Sequence, residues 1–456
     1  MSPKQQAPEL SPDVPRPGSV PPLRVGRPSR STLVNGLEMM VLARPSVPRV
    51  ELRFTVPAGA AIGPSAAASA LLRAGIVLGT KRLNQEEVSE SVQRLGGSLT
   101  VRQDQDRLHI AASALSEAEE ELYQLVFALV EQPAFPGDDL ETERIKLIEA
   151  LRTARATPEF PAAEQLQRTI YGNHPYGRPE PAEPAIRKTT RRQLLALHRA
   201  TFLPSEAQIT VVGDVIPRRT LARLRSAFGT WSGPGRRPKV PRVRPHLRPE
   251  VIFIDRPGSV QTVILAGASA PSPGHPDHIP LSLAAAVLGG SFSSRLMSNL
   301  REDKGYTYGA SSRLDGHLKD SLLGVEIEVR TEVTAASYVE LTYELGRLAS
   351  VEVPQDELEA TRNYLAGVRV IVLQTQAGLA SSLAQIRGLG LDYRYLESYS
   401  DRLAAVTPTE LRRVVARYLA PAQLTTVMVG DAAKVAGSVS SLVRTRILTP
   451  KRGKET

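Results

Sequence analysis

The chain has 456 residues, of which 41% are hydrophobic and 23% charged, a composition typical of a soluble globular protein of roughly two to four domains. It contains no cysteine, which excludes disulfides, thiolate catalysis and cysteine-ligated zinc. The net charge of +10 would suit nucleic-acid binding, but aromatic residues make up only 5% of the chain and do not alternate with the basic ones, so we expect no nucleic-acid partner.

The first thirty residues are rich in proline and serine and are predicted to form a disordered tail. They lack the apolar core of a signal peptide. The sequence also has no run of about 18 apolar residues, the length that a membrane span requires. We therefore expect no membrane span and a cytoplasmic location, with a periplasmic location possible if the chain is processed.

The segments from Ser31 to Val212 predict helices over one face of an antiparallel sheet. Asn35-Gly36 indicates a type I′ hairpin, and the alternation over Val50–Val56 predicts a half-buried strand. Two patterns indicate capping boxes, Asn84 with Glu87 and Ser116 with Glu119. In chain order, the remaining predicted elements are a helix over 67–78, a helix from Asn84, strands near 98–103 and 107–113, helices over 116–131, from Asp138 and over 190–199, and a strand over 208–212.

The second half of the chain repeats the first. The stretch beginning Phe135-Pro136 resembles the one beginning Val353-Pro354, and the Val-Gly-Asp sequence that ends at Asp214 recurs at Asp431. The offsets are 353 − 135 = 218 and 431 − 214 = 217. Because two matches far apart in the chain have almost the same offset, they indicate duplicated domains rather than short repeats. The predicted organisation is a tail over 1–30, a first domain over 31–232, a Pro/Arg-rich linker over 233–249, a second domain over 250–445 and a basic tail over 446–456.

Several motifs together resemble the M16 family of zinc metallopeptidases, which includes insulinase, pitrilysin and the mitochondrial processing peptidase. The resemblance covers about 31–445 and implies two α+β domains of the LuxS/MPP-like type, arranged as a clam shell. The motifs that carry it are Thr32-Leu33-Val34-Asn35-Gly36-Leu37, Val56-Pro57-Ala58-Gly59, Gly79-Thr80, Tyr171-Gly172-Asn173-His174-Pro175-Tyr176-Gly177, Ser293-Ser294-Arg295-Leu296 and Leu300-Arg301-Glu302.

Active members of that family carry the zinc motif H-x-x-E-H on their first helix, with a further Glu some 75 residues on. Counted back from Gly79-Thr80, the motif positions here are Ala70, Arg73 and Ala74, and the further ligand falls at Ala150, one residue after Glu149. Alanine cannot bind zinc, and arginine can neither act as a base nor tolerate a nearby cation. The sequence therefore predicts no metal site and no catalytic residue in this chain.

A second family signature is intact. Arg301 and Tyr308 are seven positions apart, and Gly305 between them can end a helix, so that Tyr308 enters the next strand. The resemblance assigns this pair to substrate binding. A guanidinium and a phenol are suitable donors for a peptide carbonyl or a developing oxyanion. In some bacterial members, the zinc motif and the Arg/Tyr pair belong to different chains, and this sequence matches the Arg/Tyr type.

Other candidate sites are weaker. His275, Asp277 and His278 lie in a Gly/Pro loop, where a metal site is possible but solvated side chains are commoner. We interpret His198 as a cation at a helix end and His174 as structural. Gly289-Gly290-Ser291 lacks the Lys-Ser/Thr of a phosphate-binding loop and is read as the start of the helix carrying Arg301.

Three functional hypotheses follow. The first is a non-catalytic subunit that binds peptide and pairs with an H-x-x-E-H subunit, which supplies the zinc and the general base in a heterodimer or larger complex. The second is a scaffold protein with no peptidase role, as in respiratory-complex core proteins of the same family. The third, an active peptidase with a relocated metal site, has least support because the seven histidines are scattered.

Overall fold

The computed structural model describes residues 23–233, 239–244 and 249–449, which form two similar halves. The first half contains β1 (Ser29–Thr32), β2 (Glu38–Ala43), β3 (Arg49–Val56), α1 (Ala66–Gly75), α2 (Gln85–Arg94), β4 (Ser98–Gln103), β5 (Leu108–Leu115), α3 (Glu119–Glu131), α4 (Gly137–Ala156), α5 (Glu159–Tyr171), α6 (Glu183–Lys188), α7 (Arg191–Thr201), β6 (Gln208–Gly213) and α8 (Pro217–Phe228).

The second half begins with β7 (Val251–Asp255), β8 (Gln261–Ala270) and α9 (His278–Gly289), followed by a π-helical turn over Met297–Asp303. The remaining elements are β9 (Thr307–Gly316), β10 (Ser321–Arg330), α10 (Thr334–Ser350), α11 (Gln355–Gln374), α12 (Gln376–Gly388), α13 (Arg394–Glu397), α14 (Tyr399–Ala405), α15 (Pro408–Tyr418), β11 (Thr425–Gly430), α16 (Ala432–Leu442) and β12 (Thr445–Leu448).

Each half contains one six-stranded sheet, which confirms the predicted pair of sheet-plus-helix domains. The strand orders are β1-β2-β6-β3-β5-β4 and β12-β7-β11-β8-β10-β9. Apart from the first edge strand, the two orders are equivalent. Most neighbours are antiparallel, but β2 pairs with β6, and β7 with β11 and β12, in parallel, so the sheets are mixed rather than purely antiparallel.

The two domains exchange a helix. The helices α5 and α12 are both 13 residues long and begin 376 − 159 = 217 positions apart. Leu166 and Ile170 of α5 pack on Ile252 and Val263 of the second sheet. Reciprocally, Leu379 and Leu383 of α12 pack on Met40 and Val212 of the first sheet. Each sheet therefore has its own helices on one face and a helix from the other half on the opposite face.

This exchange explains why β3, predicted to be half-buried, is buried on both faces. Its polar residues Glu51 and Arg53 point toward α12 rather than toward solvent. The Arg53 guanidinium donates hydrogen bonds to Ser381 Oγ at 2.9 Å and to the Ala377 carbonyl at 3.1 Å, and it pairs with Glu51 at 3.0 Å. Buried charged groups require partners of this kind, and here α12 of the other domain supplies two of them.

The predicted local signals have mixed outcomes. Asn84 and Glu87 form the expected capping box at α2. The second predicted box is wrong, because the Glu119 carboxylate bonds to Tyr123, Thr220 and Arg223 instead of returning to Ser116. The type I′ turn is also wrong: only Gly36 has positive φ, at 89°. The Gly36 N–H donates to the Leu33 carbonyl, as in a type I turn followed by a glycine bulge.

The ordered structure extends past the predicted ends of the domains. Val25 is buried and β1 starts at Ser29, so the predicted tail over 1–30 is too long; residues 1–22 lie outside the described part of the chain. Pairing of β12 with β7 carries the second domain to Leu448, beyond its predicted end at residue 445.

The described part of the predicted linker is not fully solvated. Val240 and Val243 are buried beside Tyr171 and Ile254, while 234–238 and 245–248 lie outside the described residues. None of the described helices is both long and apolar enough to cross a membrane.

His198, predicted to be a cation at a helix end, is instead a buried neutral side chain. Its Nε2 lies 2.8 Å from the Val130 carbonyl, and its ring packs 4.3 Å from that of Phe202. Burial, reinforced by the charge of Arg199, lowers the pKa of His198 to about 4, against the opposing effect of the hydrogen bond. The histidine was misread because the sequence does not show that α3 covers it.

The helix exchange predicts a large cost for trimming its core. Leu383 is 0% exposed on α12, whereas Leu442 on α16 is 51% exposed. Leu383→Ala should lower the free energy of unfolding by about 2–5 kcal/mol, because it removes apolar contacts and leaves a cavity. The control Leu442→Ala should change it by less than about 0.5 kcal/mol. Urea unfolding monitored by circular dichroism measures both, and equal values would contradict the packing.

The depressed pKa of His198 predicts a loss of stability in mild acid. The unfolded state takes up a proton near pH 6.5, and the folded state only near pH 4. The contribution of neutral His198 to the free energy of unfolding is thus complete above pH 6.5. As the pH falls from 6.5 to about 4, the free energy of unfolding decreases by about 3 kcal/mol in total. His198→Gln keeps a donor for Val130 and should flatten the dependence of unfolding free energy on pH between these limits. The free energy of unfolding is measured in urea at a series of pH values. If it depends on pH as steeply in His198→Gln as in the wild type, this role of His198 is ruled out.

Candidate functional site

The helices α1, α4 and α5 line an open cavity of about 560 Å³ in the first domain, here called the α1–α4 cavity. Its wall is largely apolar, because side chains three or four positions apart share a face of each helix. The lining residues are Ala60, Ala66, Ala70, Arg73, Gln103, Gln105, Leu147, Ala150, Leu151, Ala154, Phe160, Ala163, Glu164, Gln167, Arg178, Pro179 and Glu180.

Three of the four positions that the resemblance equates with zinc-site residues line this cavity. Ala70 and Arg73 are on α1, and Ala150 is on the facing helix α4. Ala74 is half-buried but is not part of the lining. Glu149, the neighbour of Ala150, is outside the lining and pairs with Arg152 at 2.8 Å. The fold thus brings together positions that are 80 residues apart in sequence (150 − 70).

The donors present at this position do not fit zinc. Zinc sites use three or four ligands drawn from His, Cys, Asp and Glu, and the four equivalent positions here carry the methyl side chains of Ala70, Ala74 and Ala150 and the guanidinium of Arg73. Throughout the described residues, no group of three or more such side chains is close enough to hold a metal ion. The equivalent positions therefore offer no zinc ligand, and the Arg73 guanidinium cannot act as a general base.

The charged groups around the cavity differ in how many hydrogen bonds they make to the rest of the protein. The Arg178 guanidinium donates to the carbonyls of Ala60 and Gly63, and Arg155 donates to the Pro181 carbonyl. Glu164 accepts a hydrogen bond from the backbone N–H of Glu180 at 3.1 Å.

The Glu180 carboxyl group at the cavity rim has a raised pKa. Removal of water around the carboxyl is the main cause, and the Glu164 charge adds to it, while Arg155 and Arg73 act in the opposite direction. Arg73 is half-buried and, within the described chain, makes no hydrogen bond or ion pair.

Arg301 and Tyr308 are in the second domain. Arg301 lies in the π-helical turn over Met297–Asp303, a form of helix that often marks functional sites. Gly305 ends this turn with φ of +63°, a conformation that glycine adopts without steric cost. Tyr308 then enters strand β9, as the sequence predicts.

Two polar contacts fix the π-helical turn against its neighbours. Arg295 forms a bidentate ion pair with Glu357 of α11 at 2.8 and 2.9 Å. Asn299 donates from its amide nitrogen to Glu340 and Glu344 of α10, both at 3.0 Å. These supporting residues were not identified from the sequence, since their partners are 41 to 62 positions away.

The side chains of this second site face solvent. Tyr308 is 91% exposed and Phe292 is 64% exposed. The Arg301 guanidinium stacks over the Phe292 ring at 4.3 Å and has one ionic neighbour, Glu302, at 3.6 Å. Phe292 was missed in the sequence, where it stood inside the Gly-Gly-Ser segment. Together these groups offer a stacked guanidinium, a phenol and an aromatic face to a ligand.

The loop that carries His275, Asp277 and His278 in the second domain is held by hydrogen bonds within the protein. Asp277 accepts hydrogen bonds from Arg413 at 2.5 Å and from Tyr418 at 2.9 Å, which lower its pKa. His275 Nδ1 accepts from the Asp277 N–H, and His278 Nδ1 lies 3.1 Å from the Pro271 carbonyl. His174 likewise caps a short turn, with Nδ1 accepting from the Tyr176 N–H.

The geometry predicts what it would take to recover a metal site. The wild-type chain and the single variant Ala70→His should retain much less than one equivalent of zinc after dialysis, because one imidazole cannot hold the ion. Combining Ala70→His, Arg73→Glu, Ala74→His and Ala150→Glu should raise zinc retention toward one equivalent, measured by elemental analysis on protein whose fold is checked by circular dichroism. Stoichiometric zinc in the wild type would contradict this account.

Comparisons with known proteins agree on one family. The model of insulinase (peptidase family M16) matches residues 39–181, and that of the peptidase M16 inactive domain matches residues 188–365. The chain is 25% identical over 413 residues to an uncharacterized zinc protease of Mycobacterium tuberculosis, covering 89% of this chain and 94% of that protein. It is 21% identical over 401 residues to another from Streptomyces coelicolor, covering 86% and 87%.

Solved structures agree with the fold. A peptidase M16 inactive domain from Pseudomonas fluorescens superimposes with a TM-score of 0.83 at 21% identity, covering 89% of this chain and 98% of that one. A protease from Helicobacter pylori gives 0.82 at 19% identity, covering 89% and 99%. The two matched models together cover 143 + 178 = 321 of 456 residues, and the chain belongs to peptidase family M16.

Proposed function

We propose that this chain is the non-catalytic subunit of a two-chain M16 peptidase. It would help to enclose and bind a peptide, while a partner with an intact H-x-x-E-H motif supplies the zinc and the general base. The observation that carries the proposal is the α1–α4 cavity, which is lined by Ala70, Arg73 and Ala150, the positions that the motif resemblance equates with two zinc ligands and the general base. The relatives are named zinc proteases, so a proteolytic role without a metal site of its own calls for a second chain.

The Arg301 site supports a role in peptide binding. Its guanidinium is exposed on one side and held in place by Phe292 on the other, while the π-helical turn beneath it is fixed through Arg295 and Asn299. A donor whose position is set before binding loses little entropy when a peptide carbonyl arrives. The exposed phenol of Tyr308 provides a second donor.

An apolar row on α11 supports contact with another polypeptide. Four exposed side chains at helical spacing share one face of this helix, which is Tyr364, Val368, Ile371 and Val372. Apolar groups gathered on one exposed face commonly mark a binding surface. With both sheet faces already covered through the helix exchange, α11 and the Arg301 site are the described surfaces best suited to a second chain.

Two substitutions test the role of the Arg301 site in a reconstituted pair with an H-x-x-E-H chain. Arg301→Ala should lower kcat/KM for peptide cleavage at least about tenfold, because it removes charge-assisted hydrogen bonds. Tyr308→Phe should lower it by about two- to tenfold through loss of one neutral hydrogen bond. The control Arg313→Ala removes another exposed guanidinium from β9, where it pairs with Asp315 and Glu326, and should have little effect.

The outcomes separate the two leading hypotheses. If the pair cleaves peptide and neither Arg301→Ala nor Tyr308→Phe changes kcat/KM, the scaffold hypothesis replaces the peptide-binding one. If the chain alone cleaves peptide with stoichiometric zinc, both are wrong. Size-exclusion chromatography of each variant with the partner chain establishes that a loss of rate is not a loss of assembly.

A further inference from the structure

We infer that the α1–α4 cavity is a binding site for an apolar carboxylate. The position of the general base in active family members is occupied by Arg73, a side chain of opposite charge. The substitution removes a cation site and places a guanidinium on the wall of a cavity of about 560 Å³, a volume typical of small-molecule sites. This inference does not depend on the proposed partner or on Arg301.

Of the two arginines that line the cavity, Arg73 is the one that makes no hydrogen bond within the described residues. Arg178 is engaged by two main-chain carbonyls and Arg155 by one, whereas Arg73 has no hydrogen-bonded partner within the described residues. A half-buried guanidinium with free donors gains most from a carboxylate, which it can bind through two parallel hydrogen bonds.

The charges around Arg73 favour an anion over a cation. The guanidiniums of Arg73 and Arg178 and the carboxylates of Glu164 and Glu180 line the cavity, and Arg155, outside the lining, adds a third positive charge near Glu180. Glu164 is partly satisfied by the Glu180 N–H, and Glu180 has a raised pKa. A ligand carboxylate would be repelled by ionised Glu180, so protonation of this group should strengthen binding.

The remainder of the wall fits an apolar body with an amide group. Small, aliphatic and aromatic side chains of α1, α4 and α5 provide the apolar surface, which is formed by Ala66, Ala70, Leu147, Ala154, Phe160 and Ala163. Gln105 and Gln167 provide amide donors and acceptors. The C-terminal residues of a peptide have this chemistry, and a short aliphatic acid has the carboxylate and the apolar body without the amide.

The proposal is tested by isothermal titration calorimetry, in which the full chain is titrated with N-acetyl-Ala-Leu, with its C-terminal amide and with hexanoate. We expect the acid to bind and the amide to bind at least about tenfold more weakly, because it lacks the charge that Arg73 recognises. If hexanoate binds as tightly as N-acetyl-Ala-Leu, the natural ligand is an aliphatic acid rather than a peptide C-terminus. The assignment of the cavity as a carboxylate site would stand.

Variants locate the site. Arg73→Gln should weaken binding of N-acetyl-Ala-Leu about tenfold or more, and Arg73→Lys should retain part of it as a single point charge. The matched control Arg152→Gln removes a guanidinium from the same helix as Ala150, where it pairs outside the cavity with Glu149 and Glu183, and should leave affinity within about twofold.

Glu180→Gln provides a readout that general damage to the fold would not produce. It should strengthen binding and remove the rise in affinity that the wild type shows as the pH falls, since the repelling charge is gone. The proposal is overturned if neither N-acetyl-Ala-Leu nor hexanoate binds at millimolar concentration, or if N-acetyl-Ala-Leu and its amide bind equally. It is also overturned if Arg73→Gln, with an unchanged melting temperature, binds N-acetyl-Ala-Leu as tightly as the wild type does.

Discussion

The helix exchange between the two sheets is the constraint on which the rest of the structure depends. A sheet that buries only one face can present polar side chains to water on the other. Here α5 and α12 each cover the outer face of the other domain's sheet. This packing joins the two domains and holds α5, which lines the α1–α4 cavity through Phe160 and Ala163, against the second sheet. One wall of the α1–α4 cavity is therefore positioned by contacts with the second domain.

Much of the architecture could be predicted from the sequence because the signals are local or repeated. The Asn84 capping box, the Gly305 helix end and the alternation in β3 are encoded within a few residues. The duplication could be recognised because the stretches at Phe135 and Val353 match in sequence, and the Val-Gly-Asp segments ending at Asp214 and Asp431 match at nearly the same offset. The positions Ala70, Arg73 and Ala150 were located by resemblance, and the fold places them around one cavity.

The features that could not be predicted depend on partners distant in sequence. Arg53 looked solvent-facing because its partners Ser381 and Ala377 are more than 300 positions away. His198 looked like a cation at a helix end because nothing near it in the sequence shows that its Nε2 lies 2.8 Å from the Val130 carbonyl. Each of these residues is polar, and burial of a polar group is decided by whether tertiary structure supplies a partner.

The two sites of this chain share one kind of chemistry. At the Arg301 site, a guanidinium stacked on Phe292 lies at the surface of the second domain. In the first domain, Arg73 lines a cavity at the position that the motif resemblance equates with a general base. Both groups are permanently charged donors, and neither can activate water. Loss of the zinc ligands, taken alone, would leave an inert wall of methyl groups. Arg73 makes no hydrogen bond within the described chain, so its donors are satisfied by solvent or by an anionic ligand. We therefore propose that the α1–α4 cavity serves recognition of an anionic ligand rather than catalysis.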